Sequence, residues 1–340
     1  MHPLAVDLFM VLSGFLMVHT WKGGPGSGVS AARTTLAFYI GRLFRIAPLY
    51  YFLLLLCALV LPELASMHDG ILKAFPPPWV TGGADYDPHT AWYFGGMEWL
   101  FLHATFMFGL VPGMEASTPL PDWSLSLEMQ FYLVFPFLLL LCRKVPVLIL
   151  AVFSAVLAFF APTLFGNYLD AGTLAHFGQP SLLAYRLNAF LAGMIVAYWL
   201  KERRASPGPG TGRTLYVGLV AAVCVMPLTK LVILAYGLFI MLAVGNLPVL
   251  TRIFSFKPLR YLGEISYSIY LCHLLVVTPG VYWLLTVTSF AALSPITRFA
   301  LAVLVTGPVV ILASALLYKM VEVPPLQVGR RLIKRIRTSV

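Results

Sequence analysis

MHPLAVDLFMVLSGFLMVHTW (1–21) enters an apolar run almost at once, and that run carries an aspartate, Asp7. Three readings compete: a cleavable signal peptide, a first membrane helix, or a helix that follows another. The signal peptide fails. No basic residue precedes the run, Asp7 lies within it, and no small-x-small cleavage site follows promptly. A membrane helix remains, and the rest of the chain decides its place.

Of 340 residues, 60% are hydrophobic and 11% charged, with a mean hydropathy of +0.87. A soluble domain carries roughly a quarter charged residues, so the chain reads as an all-α, polytopic transmembrane bundle. Apolar runs near the length of about 20 residues that a spanning helix needs fall at 4–21, 43–62, 124–142, 145–165, 183–200, 214–228, 229–249, 264–285 and 297–318, which is nine spans. The segment 93–110 is aromatic but broken by Glu98 and His103, and reads as interfacial or re-entrant.

The loops alternate in charge. Lys22, Arg33 and Arg42 precede the second span, while the 63–123 loop holds seven acidic residues against Lys73. Arg143 and Lys144 follow the third span, the 166–182 loop has no Lys or Arg, and 201–213 holds Lys201, Arg203, Arg204 and Arg213. Arg252, Lys257 and Arg260 precede the eighth span, and the 286–296 loop is uncharged. The basic loops define the cytoplasmic side by the positive-inside rule, so the C-terminus is expected in the cytoplasm and the N-terminus outside. Residues 1–322 are thus expected to form a membrane domain in the cell (inner) membrane. Residues 323–340, with RRLIKRIR, are expected to form a basic cytoplasmic tail on the anionic leaflet. The net charge of +10 is explained by this topology, and nucleic acid is not expected as a partner. Cys57, Cys142, Cys224 and Cys272 lie in or at the ends of apolar runs without CxxC spacing. They read as buried small hydrophobes, and no metal site is expected.

Ionisable groups inside spans are costly and point to function. Asp7, Glu128 and Arg186 fall at similar depth near the outer ends of their spans, where any two can pair. The structural alternative, an ion pair that fixes helix packing, weighs about equally for the two carboxylates and more heavily for Arg186. In WSLSLEMQFY (123–132), Ser124 and Glu128 share a helix face, and Trp123 suits the membrane interface. Glu128 is a candidate to exchange a proton in a low-dielectric cavity. In FYIGRLFRIAPLYY (38–51), Arg42 and Arg45 share a face suited to phosphate, although ordinary positive-inside anchoring explains that spacing as well. In GEISYSIYLCH (263–273), Ser266, Tyr267, Tyr270 and His273 form a polar stripe, and a lone helix histidine is more often a packing residue. His19 and His103 take no role.

Together these stretches resemble the acyltransferase-3 family of integral membrane acyltransferases, which includes bacterial polysaccharide O-acetyltransferases. VDLFMVLSGFL (6–16) is similar to the family's D-x-F-F-x-x-S-G-F. FYIGRLFRIAPLYY is similar to its R-x-x-R-I-x-P, WSLSLEMQFYLVFP (123–136) to W-S-L-x-x-E-x-x-F-Y, and LGEISYSIYLCH (262–273) to L-G-x-x-S-Y-x-x-Y-L-x-H. RLNAFLAGM (186–194) and VEVPP (321–325) are weaker matches.

The resemblance implies transfer of an acyl group, commonly acetyl, from acyl-CoA (acetyl-CoA) to a hydroxyl of a carbohydrate or lipid-linked acceptor, with membrane lipid around the bundle. Asp7 and Glu128 would be catalytic and Arg42 and Arg45 would bind the donor. Ser13, Trp123, Ser124, Arg186, Tyr267 and His273 would line the substrate pocket. Family members carry a further helix ahead of the D-x-F-F motif, with the histidine expected as catalytic base. Here only Met1 to Val6 precede Asp7, and His2 is too close to stand in. The opening stretch therefore reads as the second helix of a ten-helix family, with a late start codon or an inactive copy as explanations. A transporter or flippase for a lipid-linked sugar and a non-catalytic partner subunit are the competing functions. No inverted hydropathy repeat supports the transporter.

Overall fold

Helices form wherever the apolar runs lie, because in lipid every backbone polar group must be satisfied within the segment itself. The computed structural model describes residues 4–21, 29–76, 92, 95–165, 180–205, 211–225, 236, 248–287 and 289–338. Among these the order is α1 (Leu4–Thr20), α2 (Ala31–Ala74), α3 (Gly96–Ala104), α4 (Trp123–Lys144), α5 (Val147–Phe165), α6 (Leu187–Ala205), α7 (Thr211–Val225), α8 (Pro248–Phe254), α9 (Lys257–Glu264), α10 (Ser266–Val287), α11 (Pro295–Leu317) and α12 (Val323–Thr338). A π-helical turn, Tyr318–Glu322, joins the last two. No strand occurs among the described residues.

Among the described residues five helices are long and apolar enough to cross a membrane: Ala31–Ala74, Trp123–Cys142, Val147–Phe165, Ser266–Val287 and the continuous Pro295–Thr338. Ala5–Thr20 and Leu187–Lys201 are shorter apolar helices. The protein is thus a multi-pass helical membrane protein. The span expected at 229–249 lies almost entirely outside the described residues. Apolar side chains also face outward, such as Leu59, Phe137, Phe159 and Leu304, each about 70% exposed. That is the pattern of a surface solvated by lipid tails.

α2 differs from the sequence expectation. It begins at Ala31, well before the predicted 43, and runs through Pro48 and Pro62 without a break. Ser30 starts it, its hydroxyl accepting from the Arg33 amide at 3.3 Å, a helix-start geometry that satisfies one of the otherwise orphaned amides. The segment 93–110 yields a nine-residue helix followed by a 3-10 turn at Phe108–Leu110, too short to cross.

The described residues pack as two units. Those within 1–39, 106–115 and 123–259 form the first, and those within 40–105, 116–122 and 260–340 the second. In the first unit, α1 lies directly on α6 through glycine. A Cβ on Gly14 would fall 2.0 Å from the Phe190 carbonyl oxygen, and one on Gly193 would fall 1.8 Å from that of Val11. Small residues let membrane helices pack backbone to backbone where no hydrophobic force between helices is available. Phe131 of α4 stacks on Phe190 of α6, ring centroids 3.9 Å apart. In the second unit, Gly329 of α12 sits against Phe44 of α2, where a Cβ would meet the phenylalanine Cβ at 2.9 Å.

Candidate functional site

The first unit gathers most of the site residues anticipated from sequence. Glu128 is 4% exposed, and Ser13 of α1 donates to its Oε1 at 2.8 Å. Tyr132, one turn further along α4, donates to the same oxygen. A carboxylate in an apolar bundle is tolerated only with such donors. Ser124 is buried one turn before Glu128, and Trp123 is half-buried.

Asp7 and Arg186 come together across α1 and the start of α6. Asp7 is 2% exposed, and Arg186 Nε lies 2.7 Å from its Oδ1. The N–H does not point along that line, so the contact is an ion pair rather than an aligned hydrogen bond. Arg186 Nη1 also donates to the Tyr185 carbonyl at 3.1 Å. This charge pairing fits the structural alternative for these two residues: Asp7 lies on α1, the helix that presents Ser13, and Arg186 immediately precedes α6.

Two residues of the W-S-L motif carry contacts that the sequence did not assign. Ser126 donates to the Phe106 carbonyl at 2.6 Å and accepts from the Gly109 amide at 3.1 Å. Phe106 has φ +61, an unusual value for a bulky side chain. Gln130 donates to the Ser181 carbonyl at 2.8 Å and accepts from the Leu183 amide at 2.9 Å. The motif therefore fixes two loops, one of them leading directly to Arg186. The only signal for this was the two-residue spacing of Ser126, Glu128 and Gln130 within a stretch otherwise read for Glu128.

The second unit holds Arg45, Tyr267 and His273. Arg45 Nη1 donates to Oε1 of Glu322, which is 1% exposed, and Ser268 donates to Oε2 at 2.9 Å. Tyr267 donates to the Ile46 carbonyl at 2.8 Å, and its ring centroid lies 5.8 Å from the Arg45 guanidinium carbon. Arg42 is half-buried one turn earlier. His273 Nδ1 is 2.7 Å from the Tyr270 carbonyl, so that nitrogen carries a proton and donates. Glu322 was quoted only within VEVPP and was given no role.

The same unit buries a polar cluster not anticipated at all. Tyr50, His103 and Asp122 are each 1% exposed or less. Trp99 Nε1 donates to Ser117 Oγ at 3.1 Å, and Ser117 lies 2.9 Å from His103 Nε2. His103 Nδ1 is 2.7 Å from the Tyr50 hydroxyl, which reaches Asp122 Oδ2 at 3.3 Å. Thr118 donates to the same Oδ2 at 2.9 Å. Tyr50 donates to Asp122, so its oxygen accepts from His103 Nδ1–H, and Nε2 of the neutral ring then accepts the Ser117 proton. His103 and Asp122 lie outside the helices read as spans. Burial pushes Asp122 up to about 7, against the hydrogen bonds from Thr118 and Tyr50, and pushes His103 down to about 4. Between those values the cluster carries no charge.

The family model for an acyltransferase domain, acyltransferase-3, matches residues 1–318. The chain belongs to the acyltransferase-3 family. It is 27% identical over 305 residues to the peptidoglycan O-acetyltransferase OatA of Listeria monocytogenes, covering 81% of this chain and 45% of that protein. It is 28% identical over 144 residues to the acyltransferase MdmB of Streptomyces mycarofaciens, covering 42% of this chain and 30% of that one. The chain thus spans less than half the length of either relative. No solved structure matches. The matched segment is thus an acyltransferase domain.

Proposed function

We propose that the protein transfers an acyl group, acetyl in the first instance, from acyl-CoA to a hydroxyl of a carbohydrate or similar acceptor in the cell (inner) membrane, with its C-terminus in the cytoplasm. The observation that carries this reading is the buried Glu128 carboxylate held by Ser13 and Tyr132, two helices' contributions to one oxygen within the family's own motif. Attack on a thioester requires the acceptor hydroxyl to give up its proton as the C–O bond forms and the C–S bond breaks, and the thiolate to gain one. A positioned carboxylate in low dielectric assists that transfer. Glu128 takes the part of the group that orients the hydroxyl and shares its proton. Asp7 on α1, the helix that carries Ser13, is held by Arg186, and Ser124 and Trp123 line the approach. Arg42 and Arg45 hold the donor phosphates. Both relatives' names denote acyl transfer and one names a peptidoglycan O-acetyltransferase, which supports a glycan hydroxyl as acceptor.

The test is direct. The protein reconstituted in vesicles with acetyl-labelled CoA and glycan acceptors is expected to form base-labile acetyl esters. Movement of a lipid-linked sugar across the vesicle without ester formation would instead support a flippase.

A further inference from the structure

We propose that Glu322 is a positioning residue for the acyl donor: it holds Arg45 with one edge of the guanidinium fixed and the other turned outward for a donor phosphate. The proposal deepens the reading that Arg42 and Arg45 hold the CoA phosphates, and it rests on that reading.

Three observations converge on Glu322. The first is its backbone. In an unbroken α-helix the face of Ser314 would recur seven residues later, at Val321. The π-helical turn Tyr318–Glu322 takes up one extra residue, so Glu322 occupies that inward face instead. Ser314 and Glu322 are both buried, at 0% and 1% exposure, while Lys319 and Met320 between them are exposed. Single π-helical turns inside α-helices are frequent at functional sites.

The second is that both carboxylate oxygens are engaged, Oε1 by Arg45 and Oε2 by Ser268, which locks the carboxylate in one orientation. The third is the state of Arg45. Its side chain is 34% exposed, Nη1 is engaged by Glu322, and its guanidinium carbon lies 5.8 Å from the Tyr267 ring centroid. Among the described residues Nε and Nη2 have no partner, leaving donors of the guanidinium fork for an anion. Tyr267 is itself anchored by its hydroxyl to the Ile46 carbonyl, in the residue next to Arg45. Arg45 is therefore fixed through Nη1 and beside a ring, with 34% of its side chain exposed. A lone surface arginine would lose side-chain entropy on binding a phosphate; this one has already lost it.

The experiment measures binding of CoA and of acetyl-pantetheine, which lacks the nucleotide and its phosphates, to the purified full chain by calorimetry. Wild type is expected to bind CoA more tightly. Glu322→Ala is expected to weaken CoA binding about tenfold or more while leaving acetyl-pantetheine within about twofold. Glu322→Gln keeps an acceptor for Nη1 and is expected to lose only a few-fold. Exchanging the pair, Arg45→Glu with Glu322→Arg, keeps an ion pair but moves the guanidinium to the wrong helix. It is expected to recover the melting temperature and not the CoA affinity. If Glu322→Ala does not fold, Glu322→Gln and the exchanged pair carry the test. Recovery of CoA affinity by the exchanged pair, unchanged CoA affinity in folded Glu322→Ala, or equal weakening toward both ligands would overturn the positioning role. If wild type binds CoA no better than acetyl-pantetheine, the phosphate reading itself fails, and the role of Glu322 with it.

Discussion

Two buried polar clusters, the acids on the helices of the first unit and the His103–Tyr50–Asp122 cluster of the second, are built differently. In the first, Glu128 accepts two hydroxyls and Asp7 faces Arg186, on α1, α4 and the residue that precedes α6. In the second, the His103–Tyr50–Asp122 cluster is arranged so that burial favours the uncharged forms at mildly acidic to neutral pH. Ionisable groups placed inside membrane spans are the better guide to chemistry. A hydrogen-bonded cluster in which burial favours the neutral forms is what a fold uses to fix a loop to its helices. The proposed function therefore rests on the first cluster, through Glu128, and not on the second.

The largest effect tests the frame that brings α1 to α6. Gly193→Leu places side-chain carbon where the Val11 carbonyl stands, and backbone cannot yield as a side chain does. A loss of about 3 kcal/mol or more is expected, seen as loss of the monodisperse peak in size exclusion. A wild-type elution profile and melting curve would mean that the helices are not in backbone contact.

Next is the Asp7–Arg186 pair. Arg186→Gln leaves a buried carboxylate without its countercharge and is expected to cost about 3 kcal/mol. Adding Asp7→Asn removes that charge and should return part of the loss, read as a melting temperature above that of the single variant. A double variant no better than the single one would place the two side chains apart.

The smallest effect sharpens the contrast by its sign. Asp122 is raised to about 7 from an ordinary 3.8, so the folded state holds a proton that the unfolded state releases, and stability falls as pH rises from about 4 to 7. His103 is lowered to about 4 from 6.5, so the unfolded state binds the extra proton, and stability is lost as pH falls from about 6.5 to 4. The two slopes largely cancel in the wild type. Each single variant unmasks the other: His103→Gln should show stability falling with rising pH across this window, and Asp122→Asn stability rising with it. The difference from wild type is at most about 1.4 kcal/mol per pH unit. Thermal melts in detergent between pH 4 and 7.5 check this, and slopes of the same sign in the two variants would show the cluster to be charged.

The membrane bundle was legible because hydropathy and loop charge are properties of contiguous residues. So were Glu128, Asp7 and Arg45, each in a motif of its own. Their partners were legible in part. Ser13 was expected to line the pocket, but Tyr132 was not picked out, and Arg45 and Glu322 are 277 residues apart with only a weak pattern at the second. A π turn leaves no mark in composition, so nothing in VEVPP said that Glu322 rather than Val321 would face inward. His103 was read as a helix interruption because its partners Tyr50, Ser117 and Asp122 lie on other segments, and pairing between segments is decided by packing. The early start of α2 was hidden for a different reason: AARTTLAFYIGRL is too polar to register as a span, yet forms helix readily behind Ser30.

The central claim is that the buried carboxylate tied to Ser13 and Tyr132 serves acyl transfer. The most direct measurement is the rate of base-labile acetyl ester formation from acetyl-CoA by Glu128→Gln, alongside wild type, in the same vesicles. A loss of about 100-fold or more in kcat/KM is predicted, with the melting temperature and CoA affinity little changed. Ester formation at the wild-type rate by a folded Glu128→Gln protein would contradict it.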